Sequence, residues 1–157
     1  MTPEFRVWDK LTQKYWNIEN WHFEDEYLDL IESGVSIADP NIERVWRKFN
    51  EVELMQYTGM KDVNGNKIFE GDILKLSYDD PKTYLYTDEY DCNPKIIPPK
   101  TVTRTVKVIN EKGAFRVIAL HIKLYGARLL CDVDQGRENI EIIGNIHENP
   151  ELLEVDR

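Results

Sequence analysis

Cysteine is scarce in this chain: Cys92 and Cys131 are the only two among 157 residues. No C-x-x-C spacing links them, so neither a disulfide framework nor a thiolate zinc cluster is expected, and both read as reduced thiols. Histidine is nearly as rare. His22, His121 and His147 are far apart, with no H-x-H or H-x-x-x-H pattern to seed a metal centre. Each therefore reads as a structural histidine, and His147 is expected to bond backbone in its turn. The G-x-S-x-G turn of hydrolases and the Gly-rich loop that cradles phosphate are both missing. Ser33, Ser36 and Ser77 stand away from any histidine and acid that could activate them. Asp79-Asp80 and Asp132-Val133-Asp134 lack the ligand spacing of a calcium loop. The expectation is a protein that is not an enzyme and holds no cofactor or metal.

Long apolar runs are also lacking. No stretch approaches the ~20 residues that cross a bilayer. The start, Met1-Thr2-Pro3-Glu4-Phe5-Arg6, lacks the basic and then apolar pattern of a secretion signal. A cytoplasmic protein with no membrane association is expected. Positive charge is in deficit as well: the formal net charge is −9. Residues 1–60 carry 12 acidic and 6 basic residues, and residues 61–157 carry 17 and 14. Such a balance repels phosphate backbones and anionic lipid, which disfavours general nucleic-acid binding.

What is present is aromatic and β-forming. The chain has 17 Phe, Trp and Tyr residues, and Trp8, Trp16 and Trp21 fall within the first 21 positions. Residues 5–18 alternate apolar and polar positions about Asp9-Lys10-Leu11-Thr12, which predicts a β-hairpin. Glu24 to Glu32 carries apolar residues at roughly helical spacing, ending near Ser33-Gly34, and predicts a short helix. Residues 42–49 read as a strand. In residues 55–76, Thr58-Gly59 ends one strand, Asn64-Gly65 suits a turn with two positive φ angles, and Glu70-Gly71-Asp72 makes a second reversal. Residues 77–100 hold four of the seven prolines and form a long inserted loop, within which Thr83–Thr87 could pair as an edge hairpin. Residues 101–109 and Ala114 to Leu120 form a second hairpin, with Val102, Val106 and Val108 on one face. Further strands are expected within 122–133 and at 139–143. A helical turn follows Asn149-Pro150. Many short strands with little helix suggest a small barrel or sandwich.

Three segments carry a family likeness: Phe5-Arg6-Val7-Trp8-Asp9; Met55-Gln56-Tyr57-Thr58-Gly59 through Glu70-Gly71-Asp72-Ile73; and Ile140 through Leu153. In these the chain resembles the YopX family of phage and prophage proteins, whose biochemical role is uncharacterised. The resemblance implies an SH3-like β-barrel and assigns no catalytic residue. The expected fold is then mainly β with minor α, with residues 1–50 as a hairpin and acidic-aromatic extension and residues 51–157 as an SH3-like barrel. Motif residues of this kind identify a scaffold rather than an activity.

Function is expected where the likeness ends. Trp16, Trp21, Phe23, Glu24 and Asp25, together with Tyr84, Tyr86 and Tyr90, are the candidate contact residues for a host or phage protein, because aromatics are enriched in such interfaces. Unprotected hairpin edges and surplus aromatics also predict a homo-oligomer. The alternative reading is a nucleic-acid accessory protein, with Arg104, Arg116 and Arg128 converging beside Tyr125 on one basic strip.

Overall fold

Alternation of side chains across a pleated strand organises the first part of the chain. A computed structural model describes residues 4–88, 90, 92–120, 128–135 and 138–154. Strands β1 (Phe5–Asp9) and β2 (Lys14–His22) form the expected hairpin, with Val7 opposite Trp16. The chain continues antiparallel through β3 (Tyr27–Glu32) and β4 (Arg44–Lys48). A single 3₁₀ turn, Phe49–Glu51, then delivers β5 (Val52–Lys61) back onto β1. With β6 (Lys67–Phe69) the sheet order is β4-β3-β2-β1-β5-β6.

The helix expected over Glu24 to Glu32 is instead the β2–β3 turn followed by β3. Leu28 and Leu30 point to one side and are fully buried, whereas Tyr27, Asp29 and Ile31 point to the other. A strand apolar on both faces imitates helical spacing in sequence, and here the pairing to both neighbours decides the outcome. Val7, Trp16, Leu28, Leu30 and Val52 form the core of this unit, flanked by Ile18, Trp21, Val45 and Phe49.

Two compact units divide the chain. The first comprises Met1–Lys61 and Lys67–Gly71, and the second Asp62–Asn66 and Asp72–Arg157. The residues before 50 are thus part of a unit with its own sheet and core, and the boundary lies beyond residue 50.

The second unit is a five-stranded sheet in the order β12-β11-β10-β7-β13. Its strands are β7 (Asp72–Asp80), β10 (Lys100–Glu111), β11 (Ala114–Ala119), β12 (Arg128–Leu129) and β13 (Asn139–Asn145). Ile73, Leu74, Leu76, Val106, Val108, Val117 and Ile140 are buried, as are Leu130 and Val133 of the short helix α1 (Leu130–Gln135). Pro150–Leu153 form the expected C-terminal helical turn. Part of the strand expected within 122–133 falls on residues 121–127, outside the described residues; the rest is β12 and α1. The strand of 139–143 runs on through Gly144 by a register shift.

The inserted segment is more regular than its prolines suggest. β7 and β10 pair out to Asp80 opposite Lys100. Beyond them β8 (Thr83–Leu85) pairs with β9 (Lys95–Ile97) as a separate two-stranded ladder. The molecule is therefore mainly β, but its described sheets do not close into a barrel.

Two buried carboxylates fix turns. Asp9 accepts from Leu11 N (3.1 Å), Thr12 N (3.3 Å) and Thr12 Oγ1 (2.6 Å), and Arg47 Nε reaches it at 3.0 Å from β4. Burial pushes its carboxyl up, but Thr12, Arg47 and the Leu11 N–H together hold it below the ordinary value. Asp62 closes the Asn64-Gly65 turn: Oδ1 accepts from Asn64 N and Asn66 N, each at 2.9 Å, while Oδ2 accepts from Ile142 N at 3.1 Å. Val63 N also donates to Ile140 O at 2.9 Å, so this turn is fastened to β13.

Candidate functional site

The β2–β3 turn gathers aromatic rings and carboxylates on the first unit. Phe23 lies parallel to Trp21, with ring centroids 5.3 Å apart and planes 12° apart. Phe49, from the 3₁₀ turn, meets both rings edge-on at 6.2 and 6.4 Å, and Phe5 of β1 meets Trp21 at 5.9 Å. Such geometries are favourable for aromatic pairs. Trp21, Phe5 and Phe49 are half-buried, whereas Phe23 is 70% exposed. The cluster therefore presents one bare ring on a rigid aromatic base.

Glu24, Asp25 and Glu26 follow directly along the turn, and all three are exposed. Glu26 adopts φ 54°, a left-handed conformation uncommon for a residue with a Cβ, and its carbonyl accepts from Phe49 N at 3.0 Å. A hollow of about 420 Å³ is lined by Asp25, Glu26, Lys48, Phe49 and Asn50. A second, of about 370 Å³, is lined by Glu4, Phe5, Asn17, Ile18 and Trp21. Lys67 Nζ holds Glu4 at 2.7 Å.

Of the residues expected here, Trp21, Phe23, Glu24 and Asp25 do come together. Trp16 does not join them at the surface. It is only 2% exposed and belongs to the core, with its indole N–H donating to Thr12 Oγ1 at 2.9 Å. Phe49 and Phe5 were missing from the expected set because they are distant in sequence; only the strand order brings them in. Tyr84, Tyr86 and Tyr90 are exposed in the second unit, on and beside the β8–β9 hairpin.

The basic strip is not assembled as expected. Arg116 stands opposite Ile109 in the β10–β11 register, whereas Arg104 shares its face of β10 with Val106 and Val108. Successive strand positions point to opposite faces, so Arg104 and Arg116 diverge. The Arg104 guanidinium lies 5.8 Å from the Tyr78 ring centre, and Arg116 Nε pairs with Glu111 at 3.7 Å. Arg128 sits opposite Val117 in the backbone register, and Tyr125 is outside the described residues.

His22 and His147 have local partners. His22 Nε2 is 2.8 Å from Asp29 Oδ2, and its ring stacks on Tyr27 at 4.1 Å. Asn145 Oδ1 accepts from the backbone N–H groups of His147 and Glu148. His121 is outside the described residues. Among the described residues no group of three or more His, Cys, Asp or Glu could hold a metal ion. No helix among them is long and apolar enough to cross a membrane.

None of the curated proteins matches the chain. A solved structure, protein EF1440 from Enterococcus faecalis, is similar: 25% identity covers 98% of this chain and 99% of that one, with a TM-score of 0.51. The family model described as YopX protein matches residues 4–154. The chain therefore belongs to the YopX family.

Proposed function

We propose that this is a phage-type, non-enzymatic interaction module of the host cytoplasm that binds a cationic, partly apolar segment of a host or phage protein. The observation that carries the reading is Phe23, an exposed ring held on Trp21 and Phe49 and followed by three consecutive carboxylates. A Lys or Arg side chain laid over that ring gains a cation–π contact and a nearby acid. Its aliphatic neighbours have the hollow beside Phe5, Ile18 and Trp21 to enter.

The scaffold of the first unit supports the same reading. Five strands in the order β4-β3-β2-β1-β5, with a single 3₁₀ turn between β4 and β5, support an SH3-like reading of this unit, although the described sheets do not close into a barrel. We place the SH3-like portion here rather than in residues 51–157.

Fluorescence anisotropy with two labelled peptides of equal length tests the proposal, one alternating Lys or Arg with Leu and the other Glu with Leu. The cationic peptide binds, and Phe23→Ala weakens it by about ten-fold or more, the scale of an interface anchor. Asp25→Lys weakens it as well and narrows the gap between the cationic and the acidic peptide. Equal binding of the acidic peptide, or indifference to Phe23→Ala, overturns the reading.

A further inference from the structure

The β8–β9 hairpin is set apart from the sheet that carries it. Pro81 interrupts one strand between Asp80 and Thr83, and Pro98-Pro99 interrupt the other between Ile97 and Lys100, at the same level of the ladder. Proline supplies no N–H, so the ladder cannot run through. All residues of β8 and β9 are exposed, including Tyr84, Leu85, Ile96 and Ile97, with Tyr86 next to them. An isolated two-stranded ladder is marginal in water, and three or more strands with an apolar face are the usual remedy.

The two edges differ. The edge of β9 is flanked by Pro94, Pro98 and Pro99 and carries Lys95, which are devices that discourage further pairing. β8 and its continuation, Thr83-Tyr84-Leu85-Tyr86-Thr87, hold neither proline nor charge. They are also a palindrome. An antiparallel pairing of this segment with itself, centred on Leu85, sets Leu85 opposite Leu85, Tyr84 opposite Tyr86 and Thr83 opposite Thr87. Aromatic and Thr–Thr cross-strand pairs are favourable ones. One step outward, Lys82 of each copy falls opposite Asp88 of the other, so the flanking charges are complementary.

We infer that the β8 edge is the docking site for a second copy of this chain, joined by an isologous antiparallel β8–β8 ladder with its two-fold axis at Leu85. The result is a four-stranded sheet. Tyr84 shares its face with Ile96, so one face of that sheet carries four tyrosines and two isoleucines. In the single chain β8 ends at Leu85 and the backbone bends at Thr87 and Asp88. Pairing straightens Tyr86–Asp88. Lys82 leaves its position 5.3 Å from the Tyr84 ring centre to meet the opposing carboxylate.

Disulfide trapping tests the register, in a chain whose Cys92 and Cys131 are both replaced by serine. Residues directly opposite in an antiparallel pair have Cα atoms about 4.5–5.5 Å apart, within the span of a disulfide. Leu85→Cys therefore cross-links into covalent dimers under mild oxidation, and Thr83→Cys alone does not. Thr83→Cys mixed with Thr87→Cys gives the heterodimer. In sedimentation, Asp88→Lys weakens association by about ten-fold or more through like charges, and the Lys82→Asp/Asp88→Lys exchange restores it. Circular dichroism confirms that each variant stays folded. A chain that is monomeric at about 100 µM overturns the inference. So does a dimer in which Leu85→Cys fails to cross-link, or one that the charge exchange does not rescue.

Discussion

At the scale of single residues, two buried carboxylates, Asp9 and Asp62, hold turns by accepting backbone N–H groups. Asp62 is 7% exposed and satisfies three backbone N–H groups at once. Burial raises its pKa, but the N–H groups of Ile142, Asn66 and Asn64 prevail and leave it below the ordinary 3.8. Asp9 is shifted the same way. A depressed folded-state pKa gives stability that is complete above the unfolded value and disappears as pH falls through the folded one. Urea titrations should therefore show stability declining below about pH 4. Asp62→Asn turns an amide N–H toward backbone donors and costs about 1–3 kcal/mol at neutral pH. The gap between this variant and the native protein narrows as pH drops. A gap that stays constant down to pH ~2 would show that Asp62 does not titrate as its partners require. The turn role of Asp9 was visible in the sequence as Asp9-Lys10-Leu11-Thr12. Its contact with Arg47 was not, because that residue arrives from β4.

Elements show where pattern reading succeeds and where it stops. The β1–β2 and β10–β11 hairpins were legible because each alternates cleanly and has a polar turn. β3 was not, since Tyr27, Leu28, Leu30 and Ile31 serve two faces of one strand. The inserted segment was partly legible: Thr83–Thr87 reads as an edge hairpin, but prolines that interrupt two strands at one level make the rest look like a loop in sequence. The acidic-aromatic site was half legible: Trp21, Phe23, Glu24 and Asp25 are neighbours in sequence, but Phe5 and Phe49 reach them only through the sheet. Two element-scale outcomes follow. Replacing residues 81–99 with Asn-Gly, a dipeptide suited to a two-residue hairpin, should leave circular dichroism of the β7–β10 sheet intact and remove self-association. Gly144→Ala should destabilise the β13 end by about 1–3 kcal/mol. An added Cβ would lie 2.5 Å from Asn149 Oδ1, an atom that accepts from Asn145 N. Asn149→Ala in the same chain should recover part of that loss. Purely additive thermal shifts in the double variant would mean that the two positions do not meet.

For the molecule as a whole, composition speaks mainly to what surrounds it. A net charge of −9 favours cationic partners over nucleic acid. Within that acidic field the segment Thr83–Thr87 is uncharged, so association there meets little local repulsion. If β8 joins two copies, the folded state is stabilised by mass action and the melting temperature rises with protein concentration. Differential scanning fluorimetry across two decades of concentration measures this. A melting temperature independent of concentration in the native chain, or one that still climbs after residues 81–99 are replaced, counts against β8 as the link.

The paired prolines have a consequence for transplantation. The main ladder ends at Asp80 opposite Lys100 and the arm resumes in the same register at Thr83 opposite Ile97, with Pro81 and Pro98-Pro99 supplying no N–H to bond between them. The segment can be exchanged as a cassette. Grafted onto the tip of an unrelated monomeric hairpin, Pro81–Pro99 should confer dimerisation on its new host, while the donor chain keeps its sheet.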